Sequence, residues 1–582
     1  MNAIIFIGII TLFTAVNGQI YFTNLTSEAG MNYNISGEGV CIFDFDNDDL
    51  EDVFVCDRNN GSNLLFHNLG SMEFEEVSFA VGITTSAETR LPLAADYNND
   101  GYLDLFIGAM KGNSFLYRNN GDGTFSDVTV RSGIVTNGGL EGGAWNDVNN
   151  DGWIDLYVGR LTEFNYFFKN NGDGTFTDFA QNINAAGPQN GGLVMGLGFF
   201  DYDNDGDDDL FLTQDNNRGN ILLRKEESGV FSDISASAGV ILPVMGMGVA
   251  LGDYNRDGWI DVYTSNLYEN SLLQNSPQGY FYDVADLTGV SDIPGSMAWG
   301  TFFFDADNDG WLDIFNNNQS GFGDVPNSFF RNLQNGSFED LSQSSGLQSY
   351  NNGIGCAYGD LDNDGDLDII AAGHSYSDGS VLLYRNDSPS NNWVQFLLQS
   401  NEGDPFAIGA KIIIYTQSGS QFSQVAAGNG YCSQNTLRQH FGLGDEIDID
   451  SVVVNWPDGE REFFDVSETN QRYLLVKGSG NVFPLTIKSD IIPIEHNIIS
   501  LYPNPFNPET TIRIKVENAD KHPLRLDIYN IKGKWIDTLI NQKVDKGEHD
   551  FVWNASQFPS GIYFIRYQSQ NRIFVVKGVL TK

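Results

Sequence analysis

A loop rich in aspartate recurs seven times, starting at Asp44, Asp96, Asp147, Asp201, Asp253, Asp305 and Asp360. The intervals are 52, 51, 54, 52, 52 and 55 residues. So steady a period leaves few folds open. It requires one supersecondary unit stacked seven times, each burying its neighbour's apolar face. Short apolar strands surround each loop. A glycine-containing strand leads in, as at 196–200, and a second leaves, as at 209–213. A third follows, as at 113–117, and after the turn Asn120-Gly-Asp-Gly123 comes a fourth, at 124–129. Four short strands per unit read as the blade of a β-propeller. The expected fold class is all-β: a seven-bladed β-propeller, then a small β domain and a C-terminal Ig-like β-sandwich.

Counting strands predicts how the ring closes. The fourth-strand signature begins at Phe22, Phe74, Phe125, Phe176, Phe231, Phe281 and Phe338. The first copy precedes the first loop, and none follows the last. The strand from Phe22 should therefore complete the seventh blade, which leaves no open sheet edge.

The loops read Asp-x-Asp/Asn-x-Asp-Gly-x-x-Asp. The side-chain oxygens at positions 1, 3, 5 and 9 come from Asp44, Asp46, Asp48 and Asp52; Asp96, Asn98, Asp100 and Asp104; Asp147, Asn149, Asp151 and Asp155; Asp201, Asp203, Asp205 and Asp209; Asp253, Asn255, Asp257 and Asp261; Asp305, Asp307, Asp309 and Asp313; and Asp360, Asp362, Asp364 and Asp368. The carbonyl at position 7 adds another donor. Ca²⁺ takes six to eight hard oxygens in flexible geometry, and this set supplies them. Transition metals favour His or Cys, which the loops lack. Twenty-five carboxylates fill those four positions. Without cations each like-charged pair costs on the order of a kcal/mol or more. About seven Ca²⁺ ions are therefore expected. Position 6 is Gly for a sharp turn; the first loop has Asp49 there and is expected to bind more weakly.

On these motifs the region 19–388 resembles the FG-GAP/VCBS repeat family, the propeller type of integrin α-chains. That resemblance implies calcium in the loops on one face of the ring.

Five residues before each loop stand Gly39, Leu91, Gly142, Gly196, Gly248, Gly300 and Gly355. Small residues suit strands that crowd an axis. One residue earlier stand Glu38, Arg90, Glu141, Met195, Met247, Trp299 and Ile354. These should ring one mouth of the channel, charged on one side and apolar on the other. Either that rim takes a ligand, or it is plain packing and solvated charge.

Charge divides the chain. Residues 484–582 carry 13 Lys and Arg against 10 Asp and Glu, and the remainder 18 against 67. A boundary near 484 follows. So acidic a surface excludes nucleic-acid binding, which needs basic stripes. The apolar run from Ala3 to Val16, with small residues before Gln19, reads as a secretory signal over 1–18, too short to span a bilayer. No other segment can cross a membrane as a helix. Cys41 and Cys56 flank the first loop on strands expected to pair, so a disulfide and two buried thiols are both open. Cys356 and Cys432 have no evident partners.

Over 389–480 the period stops. Ile408-Gly-Ala-Lys411, the stretch 428–434, His440-Phe-Gly-Leu-Gly-Asp445 and Val454-Asn-Trp-Pro-Asp-Gly459 follow in order. They resemble the ASPIC/UnbV domain. His440 is the residue a catalytic reading would use; with no Cys or Ser partner it reads as structural. After a linker over 481–496, residues 497–582 open with Leu501-Tyr-Pro-Asn-Pro-Phe-Asn-Pro508 and continue as short alternating strands. The order resembles the sorting domain of the Type IX secretion system. The resemblance implies passage through the periplasm, recognition by that machinery, and release or attachment at the outer surface of a two-membrane bacterium.

The function expected is a calcium-binding, exported scaffold for adhesion or binding, with a protein or glycan ligand. No catalytic constellation is evident. The alternative is an extracellular polysaccharide-active enzyme such as a lyase, which would need Lys, Arg, Tyr or His converging on one face. A structural or assembly partner of other surface proteins is a third reading.

Overall fold

A computed structural model describes residues 20–59, 63–85, 87–188, 192–319, 325–374, 380–389, 391–466, 468–485, 499–516, 524–530, 534–544, 546–569 and 572–582. The expected signal segment lies outside them. Two compact units emerge, Met1–Ile487 and Lys488–Lys582, which agrees with the charge boundary near 484.

The first unit holds seven four-stranded antiparallel blades. Blade 1 runs Gly37–Phe43, Asp52–Asp57, Leu64–Asn68, Phe74–Glu76 from the axis outwards. Blades 2 to 6 repeat the order from Glu88–Ala95, Leu140–Asn146, Val194–Phe200, Gly246–Gly252 and Asp292–Phe304, with blades 5 and 6 joined into one eight-stranded sheet where Asp261–Glu269 also pairs with Asp292–Phe304. Blade 7 takes Gly353–Gly359, Asp368–Gly373 and Val381–Asn386 from the end of the repeat and Phe22–Asn24 from its start. Phe22 pairs with Asn386 and Asn24 with Tyr384. This is the closure the strand count demands. Phe22 is 1% exposed and packs edge-on against Phe329, with ring centroids 6.1 Å apart. Phe22→Ala should therefore lower stability by about 3–5 kcal/mol, read as an earlier urea midpoint. An unchanged midpoint would mean that the clasp is dispensable.

Alternation within the strands buries both faces of each blade, because each face meets a neighbouring blade. Val40, Ile42, Val53 and Val55 of blade 1 pack on Ala357, Ile370 and Leu383 of blade 7. Cys41 stands opposite Phe54 rather than Cys56, and both cysteines are buried free thiols, so the disulfide alternative is not the one adopted. Cys356 and Cys432 are likewise free and buried.

The second domain is a pair of four-stranded sheets. One is ordered Gln439–Gly444, Asn392–Gln399, Gln471–Val476, Val482–Leu485, and the other Gly419–Gln424, Lys411–Thr416, Ser451–Asn455, Arg461–Phe464. Val482–Leu485 pairs with Gln471–Val476. The domain thus runs into what composition suggested was linker; the rest of that segment lies outside the described residues. Phe396, Ile412, Val452 and Leu475 share one core with blades 1 to 3. The propeller and this domain therefore fold as one body.

The tail unit packs Ile499–Tyr502, Glu509–Val516 and Gly547–Asn554 against Trp535–Gln542, Leu524–Asn530, Gly561–Ser569 and Arg572–Leu580. Its core includes Phe506, Ile512, Leu526, Trp553 and Leu580. The expected β-sandwich is present.

Candidate metal centres

Each loop joins the innermost strand of a blade to the second, and a fixed hydrogen-bond scheme shapes it. The first aspartate accepts the backbone N–H of positions 5 and 6: Asp96 Oδ1 from Asp100 at 3.1 Å and Asp96 Oδ2 from Gly101 at 2.6 Å. The fifth accepts from position 7, as Asp151 Oδ1 does from Trp153 at 3.1 Å. The ninth accepts from position 2 and from the end of the third strand, as Asp313 does from Ala306 at 3.0 Å and Asn332 at 2.7 Å. Carboxylates 1, 3 and 9 are thereby drawn together. Asp44, Asp46 and Asp52 present oxygens within 4.8 Å of one another, as do Asp201, Asp203 and Asp209, Asp305, Asp307 and Asp313, and Asp360, Asp362 and Asp368.

These are the four loops with Asp at position 3. In each, the same atom is buried without a hydrogen-bond partner: Oδ1 of Asp46, Asp203, Asp307 and Asp362. An orphaned carboxylate oxygen is costly, and the same orphan recurs four times in phase. Where position 3 is Asn, Asn98 Nδ2 donates to Asp104 Oδ2 at 3.0 Å and Asn149 Nδ2 to Asp155 Oδ2 at 3.0 Å. An amide flip would present an oxygen instead. The donor set is all hard oxygen, and it fits a divalent ion of the calcium type.

Without an ion, burial raises these acids, and neighbouring carboxylates add to the rise. Asp44 is pushed up to about 8, Asp155 to about 8 and Asp209 to about 9. Asp96, Asp147 and Asp253 rise to about 6.

Two repeat features escaped sequence reading although the signal was there. Position 4 is Asn in six of the seven loops, and every position 4 is left-handed, from Asn47 at φ 58° to Asn363 at φ 61°. That conformation favours Asn. Several of these amides cross to the next loop: Asn47 Nδ2 donates to Gly101 O at 3.0 Å, Asn99 to Gly152 O at 2.9 Å, Asn308 to Gly365 O at 3.1 Å, and Asn363 returns to Asp49 O at 3.2 Å. The loops are stitched to one another around the ring. An Asn also ends the third strand in five blades and directly follows it, as Asn275, in a sixth. Asn119 Nδ2, for example, donates to Phe45 O of the preceding blade at 2.7 Å.

The rim residues meet at the axis but do not stand open. A β-bulge between Gly37 and Val40, repeated in the other blades, turns them inward. The glycine beside each lets the neighbouring blade approach; a Cβ on Gly355 would stand 2.5 Å from Glu38 O. The stretch 428–434 of the second domain then enters the mouth. Tyr431, 1% exposed, donates to Glu141 Oε2 at 2.6 Å and packs at a tilt against Trp299, with centroids 4.8 Å apart. Met195, Met247 and Ile354 close around Tyr431 and Cys432. Arg90 lies between Glu38, at 2.9 Å, and Glu141. His374 Nε2 meets the other oxygen of Glu38 at 2.8 Å. Burial opposes the Glu38 charge, yet Arg90, His374 and Arg58 outweigh it and hold the carboxyl below its usual range. Of the two readings of the rim, packing is the one adopted, and the mouth is an internal seam. Glycine spacing showed that the strands crowd there but not that another domain fills the gap.

The same domain reaches the loops. Lys411 Nζ pairs with Asp201, Gln395 Nε2 donates to Asp360 Oδ2 at 2.9 Å, and Arg438 Nη2 donates to Asp49 O at 2.9 Å. His440 is held between Gln395 at 3.2 Å and Asn308 at 2.6 Å, and burial drives its imidazole down to about 3. The imidazole is neutral and held by these two contacts.

Comparison with known proteins agrees with this architecture. The model of the FG-GAP-like repeat matches six overlapping spans, 44–107, 96–158, 147–212, 201–264, 253–316 and 305–371. The model described as ASPIC and UnbV matches 400–482, and that of the secretion system C-terminal sorting domain matches 500–581. Cartilage acidic protein 1 of Mus musculus is 34% identical over 263 residues, 43% of this chain and 40% of that protein. The Xenopus tropicalis protein of the same name is 28% identical over 498 residues, 77% of this chain and 74% of its own length. The matched part thus spans about two-fifths of the mouse relative. A solved structure of PorZ, described as an essential bacterial surface component of the type-IX secretion system of Porphyromonas gingivalis, is matched over 94% of this chain and 81% of its own at 10% identity and a TM-score of 0.19. The two share too little superposable structure for that likeness to bear on fold or function. The sorting domain marks the chain for export to the cell surface or extracellular space, and among the described residues no helix is long and apolar enough to cross a membrane. With its repeats matched over more than half of its length, the chain belongs to the FG-GAP-like repeat family and carries an ASPIC and UnbV domain and a secretion-system sorting domain behind its ring.

Proposed function

We propose that this exported protein is a calcium-stabilised binding scaffold whose ligand is a glycan. The calcium reading rests on the in-phase orphaned oxygens at position 3 of the all-oxygen loops, Oδ1 of Asp203, Asp307 and Asp362. Ions held by positions 1, 3, 5 and 9 would neutralise carboxylates that otherwise repel, and would lock each blade's first hairpin.

The ligand reading looks away from the sealed axis. An open cleft of about 320 Å³ lies between blades 2 and 3, lined by Trp153, Tyr97, Arg118, Arg131, Asp100 and Asp173. An indole face with guanidinium and carboxylate groups around it suits the apolar face and hydroxyls of a sugar, and two arginines suit an acidic one. Trp153→Ala should weaken binding to acidic glycans at least about tenfold on an array and by calorimetry, with the melting temperature unchanged. Undiminished binding by the variant, or none by the native protein with calcium present, would refute the assignment.

A further inference from the structure

The first loop departs from the other six twice. Asp49 replaces the glycine at position 6, at φ 71°. The second departure lies 19 residues beyond position 5, on the third strand. The residue there that precedes the closing Asn, or Lys225 in blade 4, is Arg118, Lys169, Arg224, Gln274, Arg331 or Arg385 in blades 2 to 7, and His67 in blade 1. Where that residue is a lysine or arginine it can neutralise the loop directly: Lys169 Nζ lies 3.2 Å from Asp151, and Arg331 Nη2 lies 2.6 Å from Asp307. Histidine at this register can do something the others cannot, which is to ligate a metal through a neutral nitrogen.

The geometry supports that role. His67 Nε2 lies 3.2 Å from Asp46 Oδ2 and 4.0 Å from Asp48 Oδ2, and the three donors fall within 4.8 Å of one another. Donors about 2.1 Å from a shared ion stand about 3–4.2 Å apart, depending on the angle between them. The Asp46 side chain is 2% exposed. Its Oδ1 is buried without a hydrogen-bond partner, and His67 Nε2 is buried facing Asp46 Oδ2. Phe45 meets the imidazole edge-on at 5.4 Å and fixes its plane. Among the described residues, no other group of three or more metal-binding side chains contains a histidine. From the loops alone a transition metal looked excluded; the folded ring brings the missing nitrogen to loop 1.

We propose that the first loop is a transition-metal site of the zinc type, held by His67 Nε2, Asp46 and Asp48, beside six all-oxygen loops. One nitrogen with carboxylate oxygens suits Zn²⁺ or a neighbouring divalent ion better than Ca²⁺. The inference does not need calcium in the other loops.

The test strips the full chain of metal, then equilibrates it with micromolar zinc against millimolar calcium and counts both metals. The native protein should retain one zinc per chain. His67→Gln, a residue blade 5 already accepts at this register, should retain at least about tenfold less while its calcium content holds. A native protein that keeps no zinc, or a variant that keeps as much, overturns the site. Calcium counted in the same samples reports separately on the other loops. A measurement without any variant guards against misfolding: zinc should protect His67 from histidine-selective acylation, as read by peptide mapping. Equal labelling with and without zinc would also overturn it.

Discussion

Stripping divalent ions with EDTA is expected to lower the melting temperature of the Met1–Ile487 unit by about 10–20 °C relative to ten-millimolar calcium. An ion that binds only the folded state at roughly 10⁻⁴–10⁻³ M contributes about 1.4–2.7 kcal/mol at that concentration. The six all-oxygen loops together contribute roughly 8–16 kcal/mol, and the ion of the first loop adds its own share. A unit of this size unfolds with an entropy of about 1 kcal/mol/K, so the shift in degrees is numerically similar. Differential scanning calorimetry in the two buffers decides the matter. Coincident melts, with no calcium uptake by titration calorimetry, would remove the calcium reading altogether.

The ion-free protein should also respond to pH in an unusual direction. Its loop acids are raised in the folded state, with Asp96, Asp147 and Asp253 at about 6 and Asp209 at about 9, while the unfolded chain titrates near 4. Between those values the folded state holds more protons, so stability falls as pH rises. The EDTA-treated protein should be most stable near pH 4–5 and lose stability towards pH 9. Calcium, which needs the ionised carboxylates, should flatten that slope, and melts across the pH range in both buffers would show whether it does.

The second large effect is expected at the sealed axis. Arg90→Met should lower stability by about 3–5 kcal/mol, because Glu38 and Glu141 then stay buried without their shared cation. Combining it with Glu38→Gln and Glu141→Gln should recover most of the loss, since the unpaired charges rather than the missing contacts dominate it. Urea unfolding of the two variants provides the comparison. If Arg90→Met alone costs under about 1 kcal/mol, the seam is hydrated and the second domain does not seal the ring.

How far each feature could be read depends on the range of the interaction behind it. The loop quartets are local: Asp44 to Asp52 close on themselves through backbone hydrogen bonds. The clasp spans the whole ring, yet it was countable because a missing fourth strand in blade 7 and a spare one at Phe22 must match. The asparagine stitches were present as a period and passed unread, because Asn in a turn has a local explanation that hides the contact to the next loop. His67 could not be assigned from the loop, since its approach to Asp46 depends on the hairpin that follows.

The residues alone determined a seven-unit all-β ring, its N-terminal closure, the clustered acids and the boundary before the tail, because each is a period, a count or a change in composition along the chain. Only the tertiary structure decided that the axis is plugged, that the second domain is fused to the ring, and that a histidine joins the first loop. The physical reason is separation: Arg90 and Tyr431 are 341 residues apart and meet at 3.2 Å, and no periodicity in either segment encodes the partner.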